Sequence, residues 1–421
     1  MNFILYNVLS YLFIIVFIMQ HQQIIIVGGG PVGLTCALLL AQQKISVTIL
    51  EPSTSYDSVA DARVLALSYA SIALLRELNI CIDGLATPIS QVHISHSGLG
   101  VSNILANDVD LPYLGYTIKY TYICAKLRYA ASQSKYIKWH DGVVTDVTTG
   151  KHFASIVYTD KDTNVNYATA ELVIMAQGGG IKIKDLIYKE YDYKQLAVTA
   201  EIITQKQHRN IAYERFDRAG ASVMLPHGNN FILVWSLPID AAQEILQQNN
   251  LIERLKNLSG MKKFGRLELN GRVAAFPLKL QVAQQKILGR VVLIGNSAQT
   301  IHPISAQGMN IALRDALILS DLVVKNLMIN DSMATNLVSE ADEINQNDDL
   351  CWNNLNIDGL SAFTQLRQAD TDFVTGFTHR LAKMFSKHIT GTSPLKGLGL
   401  VAIGNCKPMQ NLIANSLIFG R

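Results

Sequence analysis

The sequence predicts an α/β protein. It has a Rossmann-like dinucleotide-binding domain that is discontinuous in sequence, an inserted, mostly antiparallel β-sheet domain, and a helical C-terminal region. Three observations predict this. Residues 24–51, IIIVGGGPVGLTCALLLAQQKISVTILE, read as strand, glycine turn, helix, strand and terminal acid. Buried-strand runs return at Leu172–Ala176 and Gly289–Asn296. Between them, Leu196–Pro238 alternates apolar and polar residues between turns, as antiparallel sheet does. The dinucleotide-binding domain is drawn as residues 22–80, 120–185 and 271–330, and the inserted domain as 81–119 and 186–270. Residues 331–421 are helical by pattern, and 1–20 form a separate apolar segment.

Each piece of the first unit has a mechanical reason. The apolar run Ile24–Val27 suits a strand buried on both faces. Gly28, Gly30 and Gly33 fall in G-x-G-x-x-G register. In that register the first glycine makes the tight turn, the second lets backbone approach a diphosphate, and the third lets helix and strand pack closely. Leu34–Ala41 is helical, Ser46–Leu50 is the second strand, and Glu51 can accept hydrogen bonds from a ribose. A glycine-rich turn in an ordinary βαβ unit is the blander alternative.

Composition narrows the function. The 36 basic residues balance 33 acidic ones without a basic run, which argues against nucleic acid as a partner. Only 16% of residues are charged while 49% are hydrophobic, so some surface is expected to meet lipid or a partner. Cys36, Cys81, Cys124, Cys351 and Cys406 are scattered. They form neither a disulfide framework nor a metal site, as expected of a reducing compartment. Phe3–Met19 is nearly all apolar, with no Lys or Arg before Lys44. Three readings stand for it: a membrane anchor, an amphiphilic segment lying on a membrane, or a stretch upstream of a true start at Met19. N-terminal mass determination decides among them.

Farther along, the apolar residues Leu65, Leu67, Ile72, Leu74, Leu75 and Leu78 predict a helix, with Arg63 just before it. Spacing alone reads Asp61 and Arg63 as a surface ion pair. Residues 89–118 suggest short strands, Tyr122–Ser132 a helix, and Gly142–Val147, Phe153–Thr159 and Val165–Ala170 strands. Leu172–Ala176 runs into Gln177-Gly178-Gly179-Gly180. Two short helices, Ala241–Gln248 and Leu251–Leu258, follow the antiparallel segment, then a strand near Val273–Phe276. The last buried strand leads through GNSAQTIHPISAQG to a long helix beginning near Met309. Such a helix aims free N–H groups at whatever precedes it. Arg314 and Asp315 read equally as an exposed helix pair or as part of a site.

Three landmarks, VGGGPVGLTCALLLAQQ…VTILE, DARVLALS and GRVVLIGNSAQTIHPISAQGMNIALRDA, resemble those of single-component flavoprotein aromatic hydroxylases. The run Tyr213–Pro226 is similar to a segment of the ubiquinone-biosynthesis branch. Gly295-Asn296-Ser297-Ala298-Gln299 looks closest to the version in 2-polyprenyl-6-methoxyphenol hydroxylases. The resemblance covers roughly residues 22–421. It implies FAD held by Gly28, Gly30, Gly33 and Glu51, with Arg63 near the flavin. It also implies Gly295, Asn296, Pro303, Gly308, Met309 and Asn310 around the ribityl chain and ring. Pro303 and His302 form a wall beside that ring and are the catalytic candidates. His302 reads more readily as a structural hydrogen-bonder than as an acid or base.

Two positions depart from the family pattern. Asn296 stands where the broader family has an acid, and without charge assistance its hydrogen bond is roughly half as strong. Gln177 stands where an Ala-Asp-Gly element serves the flavin and nicotinamide diphosphates. The implied reaction is hydroxylation of a polyprenyl-phenol by O2 through a flavin C4a-hydroperoxide, with NADPH or NADH as reductant. The implied location is cytoplasmic and peripheral on the inner membrane, with other ubiquinone-biosynthesis proteins as partners. Two other readings stay open: another isoprenoid or quinone flavin oxidoreductase, and a catalytically silent scaffold member.

Overall fold

The computed structural model describes residues 20–52, 63–96, 100–178, 183–184, 186–217, 220–258, 260–338, 357–386 and 406–420. Phe3–Met19, Asp61, Gly179, Gly180 and Cys351 lie outside them. The chain opens with β1 (Gln20–Val27), α1 (Pro31–Gln42) and β2 (Val47–Leu50). Pro31 sits in the first turn of α1, where a missing N–H costs nothing. Leu34, Ala37, Leu38 and Leu40 of α1 are all buried, so this helix is wrapped by protein on every side.

Next come β3 (Val64–Ser68), α2 (Tyr69–Glu77), β4 (Thr87–Ile89), β5 (Gln91–His96), β6 (Gly100–Leu105) and β7 (Gly115–Lys119). The helix expected to include Leu65 and Leu67 begins only at Tyr69. The Ser68 hydroxyl accepts from the Ser71 N–H at 3.3 Å and caps the helix start. Val64–Ser68 pairs instead with β7 as an antiparallel strand. α3 (Tyr120–Ser132) then leads to β8 (Ile137–His140), β9 (Val143–Thr149), β10 (Ala154–Thr159) and β11 (Val165–Met175). Two expected strands prove to be this single β11. Its first half pairs antiparallel with β10 and its second half runs parallel to β1.

The antiparallel segment is β12 (Tyr188–Thr204), β13 (Ile211–Asp217), β14 (Gly220–His227) and β15 (Asn230–Pro238). α4 (Ile239–Gln248) and α5 (Leu251–Lys256) follow, then β16 (Leu267–Ala283), β17 (Ile287–Leu288), β18 (Val291–Leu293) and β19 (Gln299–Thr300). The described chain closes with three helices, α6 (Gly308–Val338), α7 (Ile357–Ser386) and α8 (Lys407–Phe419).

These strands form three sheets. The first runs β17-β18-β11-β1-β2-β8, with β9 and β10 attached to β11. The second runs β19-β16-β12-β15-β14-β13-β5-β6, and the third is β3-β7-β4. Strand β16 crosses the boundary drawn at residue 271 as one member of the second sheet. The second sheet is antiparallel except where β13 and β5 run parallel. The main core lies between the first sheet and its helices, with Ile26, Leu34, Ile49, Leu127, Ile174 and Leu313 packed together. Among the described residues no helix is long and apolar enough to cross a membrane.

Candidate active site

Where β1, β11 and β18 end, the chain turns away and leaves a cleft of about 770 Å³. Open parallel sheets bind ligands at such carboxyl ends. Gly28 leaves β1 at φ +110°, and a Cβ there would lie 2.6 Å from the Gln177 backbone. A Cβ on Gly33 would lie 2.0 Å from the Gly28 carbonyl oxygen, so strand and helix touch through this pair. Gly30 is the N-cap of α1 and gives no side-chain cap. The first turn of α1 therefore presents its amides at the cleft wall, which Gly30, Pro31 and Val32 line. Glu51 Oε2 accepts from the Gly29 N–H at 2.9 Å, and Glu51 also lines the cleft.

Arg63 lines the mouth with its guanidinium 4.4 Å from the centre of the Tyr120 ring. The Arg63–Asp61 pair falls outside the described residues. A second guanidinium, Arg128 of α3, lies over Trp139 at 4.9 Å and faces the same cleft. Sequence reading missed Arg128, an ordinary position within the expected helix Tyr122–Ser132, and Tyr120, which lies just before it. Gln177 and Gly178 line the cleft directly after β11. On the opposite side stand Asn296, Thr300, Ile301, Pro303, Gly308 and Met309. Gly295 turns the chain at φ +62° and packs under Val32. Gly308 opens α6, and a Cβ there would have no neighbour closer than 3.9 Å.

Asn310 and His302 do not line this cleft. Asn310 Oδ1 accepts from the Ser68 N–H at 2.8 Å and the Ser71 hydroxyl at 2.9 Å. Its Nδ2 donates to the carbonyls of Ala66 and Ala306, each at 3.1 Å. That amide is occupied in joining α6 to β3 and α2. His302 is buried, and its Nδ1 accepts from the Ile304 N–H at 3.2 Å. This leaves the ring proton on Nε2, which lies 3.4 Å from Gln195 Oε1. Burial pushes the His302 pKa down to about 4, so the ring is neutral at physiological pH. It supports the wall that carries Pro303.

Arg314 and Asp315 are buried rather than exposed. Asp370 accepts from Arg314 Nε at 2.9 Å and Nη2 at 3.1 Å, a two-pronged contact between α6 and α7. Asp315 accepts from Arg367 Nε and Gln299 Nε2, both at 2.6 Å. Lys286 Nζ lies 3.5 Å from the same carboxylate, and burial lowers its pKa.

A second cavity, about 380 Å³, adjoins the first and shares Ala66, Val223, Leu225 and Ala306 with it. Its other walls come from the second sheet (Val92, Ile94, Phe216), from α7 (Phe377, Leu381) and from α8 (Leu417). They are almost wholly apolar. One acid, Glu214, faces into it.

The donor set fits FAD. Uncapped α1 amides and two guanidinium groups suit a diphosphate, Glu51 suits a ribose, and the glycine pair leaves space only where no Cβ exists. Fold and cleft thus define a dinucleotide-binding α/β protein with an apolar chamber beside the cofactor cleft. Residues 21–328 match the FAD binding domain family, and the chain belongs to that family. Ubiquinone hydroxylase UbiL of Rhodospirillum rubrum is 24% identical over 410 residues, covering 92% of this chain and 87% of that protein. The 3-demethoxyubiquinol 3-hydroxylase of Escherichia coli is 28% identical over 323 residues, covering 72% of this chain and 80% of its own length. The crystal structure of p-nitrophenol 4-monooxygenase PnpA from Pseudomonas putida superimposes with a TM-score of 0.73, covering 96% of this chain and 100% of that one. At 14% identity, that last likeness is one of fold.

Proposed function

We propose that the chain is an FAD-dependent monooxygenase that hydroxylates the aromatic ring of a polyprenyl-phenol in ubiquinone biosynthesis, using NADPH or NADH and O2. The observation that carries this is the confluence of a polar cofactor cleft with an apolar chamber across Ala66, Val223, Leu225 and Ala306. The chamber suits a ring bearing an isoprenoid tail, since each buried CH₂ contributes about 0.8 kcal/mol. The hydroxylase names of the relatives point the same way.

Bound FAD supplies hydride acceptance and oxygen activation. The chain supplies position, dryness and charge. The α1 amides, with Gly28, Gly30 and Gly33, hold the diphosphate, and Glu51 holds the ribose. Arg63 and Arg128 screen the phosphate charge at the mouth. Asn296 accepts from the ribityl chain, and Pro303 gives a rigid wall beside the ring. The first turn of α6, at Gly308 and Met309, stabilises negative charge by about 0.3–2 kcal/mol. The apolar walls exclude water from the ring. We also place the protein in the cytoplasm, in peripheral contact with the inner membrane where such a substrate resides.

Incubation with a polyprenyl-phenol under ¹⁸O-labelled O2 tests the reading. One labelled oxygen atom on the ring is expected, and unlabelled product refutes hydroxylation. Gln177 favours a second reading, a silent scaffold member of a ubiquinone-synthesis assembly, because a neutral amide lies at the diphosphate wall. Anaerobic NADPH separates the two: it bleaches the flavin band of a working enzyme and leaves that of a scaffold unchanged.

A further inference from the structure

Strand β13 alternates between two environments. Tyr213 and Arg215 face the aromatic cluster around Phe264, while Ala212, Glu214 and Phe216 face the apolar chamber. Glu214 sits between Val223 of β14 and Ile94 of β5 in the sheet register, and both of these also line the chamber. Its carboxyl has no hydrogen bond or ion pair among the described residues, and it is the only ionisable side chain among those lining the chamber. An unpaired carboxyl on an apolar wall is costly to keep unless a ligand completes it. Two further polar atoms at this chamber lack protein partners among the described residues, Ser305 Oγ and Gln307 Oε1, and Gln307 is only 7% exposed. Val223, directly across from Glu214, belongs to the wall shared with the cofactor cleft. A ring held by Glu214 therefore lies beside that wall, with its tail toward α7 and α8.

We propose that Glu214 receives the phenolic hydroxyl of the substrate and takes its proton, so that the ring reacts in phenolate form. This rests on the hydroxylase reading above. In the step the phenolic O–H bond breaks, its electron pair stays on oxygen, and the proton joins a Glu214 oxygen. The proton returns to the same oxygen as the product regains its hydroxyl. Burial alone pushes Glu214 up to about 8, where an ordinary carboxyl lies near 4.5. That brings it within about two units of a phenol near 10, instead of about six. Among the described residues no other titratable group lines the chamber from β3, β5, β6, β14, α6, α7 or α8. On its own strand Arg215 faces away, and on β5 His96 Nδ1 is engaged with the Phe216 carbonyl at 2.9 Å.

The test uses the FAD-loaded full chain, with 2-farnesylphenol in detergent micelles as probe and E214Q and E214L as variants. Infrared difference spectra of the wild type are expected to show a protonated-carboxyl stretch that titrates out near pH 8 and shifts when the probe binds. Both variants lack it. Wild-type hydroxylation is expected to rise about tenfold from pH 7 to its plateau. E214Q is expected to be about 100-fold slower and flat with pH. A band that the probe leaves unmoved, or an E214Q pH profile like that of the wild type, overturns the proposal. If the probe shifts the band yet no labelled oxygen enters the ring, the hydroxylase reading fails while phenol binding at Glu214 stands.

Discussion

Replacing Asp315 tests how the helical region is held against the cofactor cleft. Asp315 is fully buried and serves Arg367, Gln299 and Lys286. Arg367 is itself only 2% exposed and shares Asp370 with Arg314. Three cations, Lys286, Arg314 and Arg367, thus meet two carboxylates, Asp315 and Asp370. In D315N the isosteric amide can still accept from Gln299, but three cations then face one carboxylate. Breaking a buried pair from one side costs about 3–5 kcal/mol. D315A should lose about 1–3 kcal/mol more, because the Gln299 donor is also left unsatisfied. Urea unfolding followed by circular dichroism measures both variants, and R367M completes a double-mutant cycle. The lost contact joins a residue of α6 to one of α7, so the D315N and R367M effects should be strongly non-additive. Loss of less than about 1 kcal/mol in D315N, or additivity within about 0.5 kcal/mol, refutes the reasoning.

Three further outcomes are expected. In G33A, a Cβ placed 2.0 Å from the Gly28 carbonyl must push α1 off β1; flavin content on purification should fall and stability drop by about 1–3 kcal/mol or more. E51Q removes a charge-assisted acceptor from the Gly29 N–H, so FAD affinity measured by flavin fluorescence should weaken roughly tenfold to a hundredfold; a change under twofold excludes that role. His302 takes its proton near 6.5 when unfolded but only near 4 when folded. Between those values the unfolded state binds more protons, so stability should fall as pH drops, by about 3 kcal/mol in all. In H302N that part of the pH–stability curve should flatten, and a curve parallel to the wild type rules the attribution out.

What could be read from the sequence was what neighbours in sequence decide. The glycine turn, α1 and Glu51 lie within one βαβ unit, and each residue there answers to a constraint only a few positions away. The start of α6 at Gly308 was legible for the same reason, within one residue. Val64–Ser68 was not, because a five-residue strand and a first helical turn place leucines alike, and only the pairing of Val64 with Lys119 distinguishes them. Arg314 and Asp315 could not be told from an exposed helix pair, because their partners, Asp370 and Arg367, lie more than fifty positions away on another helix. Arg128 and Glu214 were hidden differently. Each occupies an unremarkable place in its own element, and the cavity that gives it meaning is assembled from elements far away in sequence. The one local cue for Glu214 was its parity: it shares the even-numbered face of β13 with Ala212 and Phe216, where an apolar residue was due.

The apolar chamber takes part of its wall from α8, through Ile413, Ala414, Leu417 and Ile418. The Ser68 hydroxyl donates to the Ile418 carbonyl at 3.2 Å and ties that helix to the strand beside the cofactor cleft. In sequence, α8 follows every other described element. During translation, at about 5–20 residues per second, the parallel sheet and its glycine turn leave the ribosome well before that wall exists. A nascent chain can therefore assemble its cofactor cleft while the greasy chamber still gapes. For that interval, Ile94, Phe216 and Val223 form an open oily trough, the stretch of the protein's life in which a chaperone or a lipid surface has most to offer it.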